Sequence, residues 1–296
     1  MLRSKLSSLR EYITPVSNDS QFIKNGTITP DEFVIAGNYL TDKFVTWSWN
    51  SNDSEVSEKN LKTRSFLPKE HQFLVTRKVV CYKRCDDLNK EEQEEEEEGD
   101  LAKKGEFEEF DEENNVWVVK TSGEETNKKV SLENNNNNDN EYSLEELELE
   151  DDEDDTDSLS EDLKDSLNKR YYDLYILYST SYKVPKLYLV GYNNEGQPLT
   201  PKEMLQDVSP EYRKKTATIE DLPVFKTKTP SISIHPCRHG DVMKLLMNRM
   251  KESKIDEENE EQKDESISVD IYLVIFLKFM NSVVPTMQYD FTMDGG

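Results

Sequence analysis

The stretch "SISIHPCRHGDVMKLLM", from Ser231 to Met247, joins two kinds of hydrophobic pattern. Its first part, in "TPSISIHP", alternates small polar residues with isoleucine, which is typical of a β-strand. Its last part, from Asp241 to about Lys251, has the spacing of a helix. Between them stand Cys237 and two of the three histidines of the chain. This passage from strand to helix through a polar cysteine turn predicts mixed secondary structure and a reactive site.

Helix and strand patterns recur through most of the chain. Thr29 forms a capping box with Glu32 at the start of one helix, and Thr200 caps another, "PKEMLQDV". "SVDIYLVIFLKFMNSVVP" predicts a last, apolar helix. A turn is expected near Val184-Pro185. Further strands are predicted at 72–80, 172–180 and 186–193. The fold class is therefore α+β, an antiparallel sheet with flanking helices.

The negative charge of the chain is concentrated in one segment. Residues 91–165 contain 32 of the 62 acidic residues but 6 of the 37 Lys and Arg residues, so they account for the formal net charge of −25. Because like charges repel and little can be buried, we expect disorder over 86–165. The rest of the chain has no dense basic patch with interleaved aromatic residues. No nucleic-acid partner is therefore predicted.

Cysteine content and hydropathy predict a cytoplasmic protein. Three cysteines are too few for a disulfide framework, which favours a reducing compartment. The first residues lack the apolar centre of a signal peptide. The longest apolar run, from Tyr272 to Leu277, is too short for a membrane span.

Residues 1–14 predict a short amphipathic helix. Its apolar stripe, at i, i+4, i+7 and i+11, consists of Leu2, Leu6, Leu9 and Ile13. Basic side chains flank this stripe, where they can reach lipid phosphates; they are Arg3, Lys5 and Arg10. We expect the helix to bind membrane surfaces. The alternative is that it docks on the protein's own core.

Two apolar islands interrupt the acidic segment. One is "NNVWVVK", which contains Trp117, and the other is "EYSLEELELE", where Ser143 and Glu146 form a capping box. The apolar face of the second island consists of Leu144, Leu147 and Leu149. Such islands often fold on a partner. For the first island, residual helicity is an equal alternative.

Cys237 is interpreted first as a nucleophile. A following helix N-terminus, Arg238 and nearby imidazoles all stabilise a thiolate. The simplest alternative is a structural thiol, because free cysteines are often buried. A cysteine phosphatase is excluded because Met243 stands where a phosphate-binding arginine is required. A cysteine protease is not supported, because nothing in the sequence indicates a peptide-binding cleft.

A metal site is the remaining alternative. Its ligands would come from Cys81, Cys85, His235, Cys237 and His239. The H-x-C-x-H spacing does not match the usual paired zinc motifs, and a proline stiffens it. The sequence therefore predicts no metal and no cofactor, and His239 is expected to cap or pack.

The motif "HPCRH" (235–239), after "KTATIEDLP" (215–223), resembles a known family. Further matches are "ITPDEFVIAGNYL", "LPKEHQFLVTRKVVC", "YYDLYILYSTSYKVPKLYLVGYN", "PLTPKEMLQDVS" and "YLVIFLKFMNSVVPTMQYDFTM". Together they resemble the autophagy ubiquitin-like conjugating enzymes, which transfer a ubiquitin-like modifier to phosphatidylethanolamine. Alternatives are the sister enzyme that makes a protein–protein conjugate, and a non-catalytic adaptor.

This resemblance implies a ubiquitin-conjugating-enzyme-like fold and assigns its catalytic residues. Cys237 matches the family's thioester-forming cysteine. Thr216 occupies the position of a threonine thought to replace the asparagine of ordinary ubiquitin-conjugating enzymes. His235 matches the histidine of the H-P pair, which is more structural than catalytic. The implied parts are a membrane helix (1–14), a catalytic domain (15–85 and 166–296), a flexible acidic region (86–165) and a charged handle (251–268).

The resemblance also implies partners and a location. The flexible region is expected to bind the activating enzyme, with Leu144, Leu147 and Leu149 as anchors. The other implied partners are the ubiquitin-like modifier, membranes containing phosphatidylethanolamine, and an autophagy conjugate that acts as ligase. We therefore expect a cytoplasmic enzyme that is recruited peripherally to autophagosome-forming membranes.

Overall fold

The structure is a computed structural model of the 296-residue chain. It describes residues 10–11, 14–16, 19–88, 107–111, 116–120, 169–257 and 267–289. The chain divides into two compact units, the first formed by Met1–Asn89 with Leu159–Gly296 and the second by Lys90–Ser158. In the described part of the chain, no helix is both long and apolar enough to cross a membrane.

The strands of the described residues form one large sheet and one hairpin. They are β1 Ser48–Trp49, β2 Leu74–Cys81, β3 Phe107–Asp111, β4 Val116–Lys120, β5 Arg170–Ser179, β6 Val184–Tyr192, β7 Ala217–Asp221, β8 Pro230–Ile234 and β9 Met287–Gln288. The large sheet has seven antiparallel strands in the order β1–β2–β5–β6–β8–β7, with β9 paired to β2.

Helices flank this sheet. They are α1 Phe22–Asn25, α2 Pro30–Lys43, α3 Pro201–Leu205, α4 Pro210–Lys215, α5 His239–Glu257 and α6 Tyr272–Val283. Short 3-10 turns span Glu58–Asn60, Lys69–His71, Pro236–Arg238 and Val269–Ile271. Both predicted capping boxes are present, at the starts of α2 and α3. The predicted α+β class is therefore confirmed.

Both faces of the central sheet are buried. On one face Leu174 and Ile176 join a core that contains residues of α2, α5 and α6. On the other face Tyr175 and Leu177 join a smaller cluster that loop residues such as Val224 complete. This two-sided burial explains why β5 reads as a nearly continuous apolar run rather than as an alternating pattern.

Two element boundaries differ from the sequence prediction. The turn expected near Val184-Pro185 lies one step earlier, because Lys183 adopts a left-handed conformation (φ 55) and β6 begins at Val184. Pro185 then falls near the start of a strand, where proline is tolerated. The helix expected from Asp241 begins at His239, since the turn around Cys237 leads into it directly.

The second unit contains a described β-hairpin. Strand β3 pairs antiparallel with β4, and Phe110 lies opposite Trp117. The alternative of residual helicity around Trp117 is therefore wrong, because the β-branched and aromatic residues of this island favour the strand. The remainder of 86–165, apart from a helical turn that ends at Leu88, lies outside the described residues, as do Leu144, Leu147 and Leu149.

Candidate active site

The candidate nucleophile lies where β8 passes into α5. His235 follows the last residue of β8, and Cys237 is the middle residue of the 3-10 turn before α5. His235 Nδ1 accepts a hydrogen bond from the backbone N–H of Cys237 at 3.3 Å. Cys237 is exposed, whereas Cys81 and Cys85 are buried. The local geometry thus presents the Cys237 thiol to solvent on a turn that a histidine side chain caps.

A tyrosine fixes the other nitrogen of His235. Because Nδ1 accepts a hydrogen bond, the ring proton lies on Nε2, which donates to the Tyr182 hydroxyl at 3.3 Å. The two rings meet edge to face with their centroids 5.2 Å apart. Burial, with help from Lys186, lowers the pKa of His235. His235 is therefore a neutral imidazole held in one tautomer.

The turn that carries Tyr182 binds the end of the predicted amphipathic helix. Residues 10–11 are helical, and the Arg10 guanidinium lies 5.1 Å from the centroid of the Tyr182 ring. The Glu11 carboxylate accepts hydrogen bonds from Ser179, Thr180 and Ser181. Burial alone would raise the pKa of Glu11, but these hydrogen bonds outweigh it and lower that pKa.

The rest of the predicted membrane-binding set lies outside the described residues. This group comprises Leu2, Arg3, Lys5, Leu6, Leu9 and Ile13. Within the described part of 1–14, Arg10 and Glu11 both contact the folded body, as the core-docking alternative requires of them. The choice between membrane and core for the apolar stripe therefore stays a prediction.

Thr216, one residue before β7, lies opposite His235, one residue after β8. It follows α4, and its backbone carbonyl accepts the N–H of His235 at 2.9 Å. Its hydroxyl donates to the carbonyl of Tyr212 at 3.3 Å. The structure thus brings Thr216 to the strand that leads to Cys237, with its hydroxyl bonded to the preceding helix.

Known proteins match this chain over nearly its whole length. The family model described as "Autophagocytosis associated protein, active-site domain" matches residues 32–291.

The chain belongs to this family.

Proteins named autophagy-related protein 3 are similar to it from end to end. The protein of Saccharomyces cerevisiae (strain S288c) is 42% identical over 322 residues, and that of Candida glabrata 45% over 329 residues, each with 100% of both chains covered. That of Scheffersomyces stipitis is 46% identical over 332 residues, with 99% of both chains covered. The resemblance carried by "HPCRH" is confirmed: the chain is an autophagy ubiquitin-like conjugating enzyme.

The other two cysteines of this autophagy conjugating enzyme lie in a buried polar cluster. Cys81 Sγ is 3.3 Å and Cys85 Sγ is 3.9 Å from the hydroxyl of Thr286. Burial raises the pKa of Cys81, and it raises the pKa of Cys85 to about 12. Both thiols therefore stay protonated, and neither is a candidate nucleophile.

A buried carboxylate completes that cluster. Asp207, whose side chain is 0% exposed, accepts hydrogen bonds from Arg84, Arg170 and Tyr172 at 2.6–2.9 Å. Arg170 also donates to Cys81 Sγ at 3.4 Å. Sequence reasoning missed this cluster because its members come from distant parts of the chain and carry no common motif.

The ligands of the metal alternative are not assembled. His239 is buried, donates from Nδ1 to the Pro185 carbonyl at 3.1 Å and packs against Phe276 and Phe279. Burial lowers its pKa to about 4. Among the residues that the structure describes, no group of three or more His, Cys, Asp and Glu is placed to hold a metal ion. His239 therefore packs, as expected.

A second polar network lies on the strands beside His235. Lys186 on β6 and Ser233 on β8 both donate to the Glu220 carboxylate of β7. Ser233 also shares a hydrogen bond with Thr218 at 2.8 Å. The network ties β7 to the two neighbouring strands; within it, Lys186 lowers the pKa of His235 and Glu220 opposes that effect. Single residues on three strands give no local pattern that would have revealed it.

Proposed function

We propose that this conjugating enzyme carries the ubiquitin-like modifier as a thioester on Cys237 and transfers it to the amine of phosphatidylethanolamine. The observation that carries the proposal is the exposed thiol of Cys237 on a capped turn, set against two buried, protonated thiols. The family supports a conjugating enzyme, and this cysteine is the thiol that a protein partner can reach.

The first step is a thioester exchange. The Cys237 thiolate attacks the carbonyl of the modifier's C-terminal glycine, which the activating enzyme presents as its own thioester. A new C–S bond forms at Cys237, and the activating enzyme's sulfur leaves as thiolate. His235 takes no proton in this step; its neutral ring caps the N–H of Cys237 and holds the turn in place.

The second step is aminolysis. The neutral amine of the lipid attacks the Cys237 thioester, the amide forms, the Cys237 thiolate leaves, and the ammonium proton passes to solvent. A negative oxygen develops on the way, and the Thr216 hydroxyl is our proposed donor to it. One such donor contributes about 2.7–4 kcal/mol. To donate there, that hydroxyl must leave the carbonyl of Tyr212.

Thr216→Val separates these two possible uses of the hydroxyl. If it stabilises the developing oxyanion, loading of Cys237 should be retained and single-turnover discharge to the lipid amine should be slowed. A discharge rate equal to that of the parent would leave the hydroxyl with only its structural bond to Tyr212.

We propose that two segments, one before the catalytic domain and one inserted within it, bring its partners. Leu144, Leu147 and Leu149 would anchor a short helix on the activating enzyme, and replacing all three with alanine should slow loading but not discharge.

The apolar stripe of residues 1–14 would place the enzyme on autophagosome-forming membranes, where an autophagy conjugate acts as ligase. Leu6→Asp should then abolish flotation with small vesicles while Cys237 still loads; equal flotation would return the helix to the core.

One reconstitution tests the central claim. The purified enzyme is incubated with activating enzyme, modifier and ATP, and the adduct is resolved with and without reducing agent. We expect a thiol-labile adduct from the parent, none from Cys237→Ala, and a reductant-resistant oxyester from Cys237→Ser. Cys85→Ala is the matched control and should still form the labile adduct. An adduct that survives in Cys237→Ala would overturn the proposal.

A further inference from the structure

The sheet ends at β7, beside the candidate active site. β7 pairs with β8 on one side, and no described strand pairs with its other side. Sheet edges expose unpaired backbone N–H and C=O groups, and proteins bind extended peptides along such edges.

The hydrogen-bond register identifies the outward groups. Antiparallel pairs alternate between bonded and non-bonded. Thr216 opposite His235 is bonded, and so is Leu222 opposite Thr229. The non-bonded positions, which turn their N–H and C=O away from β8, are consequently Ala217, Ile219 and Asp221. Asp221 lies opposite Pro230, which has no N–H to offer, in agreement with this assignment.

The middle of this edge is apolar and open. Ile219 is 51% exposed and is one of six exposed large hydrophobic residues in the described part of the chain. The edge is short, five residues, which limits pairing with unrelated chains. An extended chain bound along this edge could form hydrogen bonds with the outward backbone groups and an apolar contact with the Ile219 side chain.

The direction of the strands selects the occupant. β8 runs towards Cys237, and β7 runs antiparallel to it, away from that turn. A chain added antiparallel to β7 would run towards the turn and would arrive with its carboxyl end beside Thr216 and His235. The terminal glycine carbonyl of the modifier has to arrive at this place for thioester exchange on Cys237.

We propose that the outer edge of β7 binds the extended C-terminal tail of the ubiquitin-like modifier as an added antiparallel strand. At about 3.4 Å per residue, roughly five tail residues span β7 before the chain reaches the turn. The Ala217, Ile219 and Asp221 backbone would hold the tail, and Ile219 would contact one of its side chains. This inference rests on the proposed function and adds the surface that aligns the acyl group.

Backbone hydrogen exchange tests the added strand directly. Exchange is measured on the free enzyme and on the oxyester of Cys237→Ser with the modifier, which does not discharge quickly. The amides of Ala217, Ile219 and Asp221 should exchange quickly in the free enzyme and slow by about tenfold or more in the oxyester. Those of Thr218 and Glu220, which face β8, should be protected in both states and serve as internal controls.

The outcomes separate the inference from the function beneath it. If the oxyester forms and the three outward amides keep their exchange rate, strand addition is overturned while the proposed function stands. If they are already protected in the free enzyme, another part of the chain covers the edge and the inference is wrong. If no adduct forms at all, the proposed function fails and the inference with it.

A proline variant gives a second, kinetic readout. Ile219→Pro removes an outward N–H and leaves the hydrogen bonds to β8 in place, and edge strands accept proline at such positions. We expect loading of Cys237 to slow by about tenfold, as for loss of a main-chain hydrogen bond and a contact. Ile219→Thr keeps the backbone N–H, so its loading rate should fall by less. Equal losses in the two variants, with unchanged melting temperatures, would contradict main-chain pairing.

Discussion

Cys85 and Cys237 both stand at or just before the start of a helical segment, yet their surroundings are opposite. Cys85 is buried with Cys81 beside Thr286, and burial raises its pKa to about 12. Cys237 is exposed on a turn that His235 caps. A position at a helix start is therefore not enough to activate a thiol, because removal from water costs the thiolate more than a helical turn returns.

Alkylation should show the largest difference between these two sites. In the folded enzyme at pH 8, iodoacetamide should alkylate Cys237 at least about a thousandfold faster than Cys85. Alkylation of Cys85 requires both a local opening of the structure and deprotonation of a thiol that is rarely ionised. Peptide mass spectrometry after timed quenching measures both rates. In urea above the unfolding transition the two rates should converge. Comparable rates in the folded enzyme would contradict the burial of Cys85.

The buried site should instead dominate stability. Asp207→Ala leaves Arg170 without its buried carboxylate, and breaking such a pair costs about 3–5 kcal/mol. The free energy of unfolding in urea measures the loss. Below the transition, loading of Cys237 should be unchanged, since the two sites share no hydrogen bond among those described.

An exposed ion pair provides the matched control. Asp86 pairs with Arg213 at 3.0 Å, and its side chain is 51% exposed. Asp86→Ala should cost less than about 1 kcal/mol because water solvates the remaining charge. Similar losses for the Asp207 and Asp86 variants would show that burial does not set the cost.

The two histidines of "HPCRH" differ in burial in the same way: His235 is partly buried and His239 is fully buried. His239 is buried, and its pKa falls from 6.5 to about 4. Between these values the unfolded chain binds a proton that the folded chain does not, so stability is full above pH 6.5 and falls as the pH decreases. From pH 7 to pH 5 the loss from His239 should be about 2 kcal/mol.

Replacement of this histidine should flatten the dependence on pH. In His239→Gln, unfolding in urea at pH 7 and at pH 5 should differ by much less than in the parent. The remaining difference would come partly from His235, whose pKa is lowered in the same direction. A parent-like difference in the variant would assign the pH dependence to other groups.

The features that could be predicted from the sequence are those that depend on residues close together in the chain. The capping boxes at Thr29 and Thr200, and the passage through Cys237 into a helix, depend on residues within a few positions of each other. The Asp207 cluster depends on pairing between strands far apart in the chain, so no window of sequence contains it. Strand β7 was missed because five residues with mostly exposed side chains give no clear alternation.

Removal of the Tyr182 hydroxyl should have a smaller effect than the alkylation, Asp207 and His239 predictions above. It tests whether this hydroxyl holds the His235 ring in the position that caps the Cys237 N–H. Tyr182→Phe keeps the ring beside His235 and under Arg10 but removes the acceptor of the His235 Nε2 proton. The imidazole can then change tautomer and release the Cys237 N–H. Loading should slow by about threefold, the size of one partly exposed hydrogen bond.

A double-mutant cycle separates positioning from general packing. Asparagine at position 235 can cap the Cys237 N–H through its own side-chain oxygen, without help from a tyrosine hydroxyl. In the His235→Asn background, Tyr182→Phe should therefore produce little further change in the loading rate, and the amide of Cys237 should exchange no faster. If the two substitutions multiply instead, Tyr182 acts independently of His235, and the difference between the exposed and buried cysteines is set by accessibility alone.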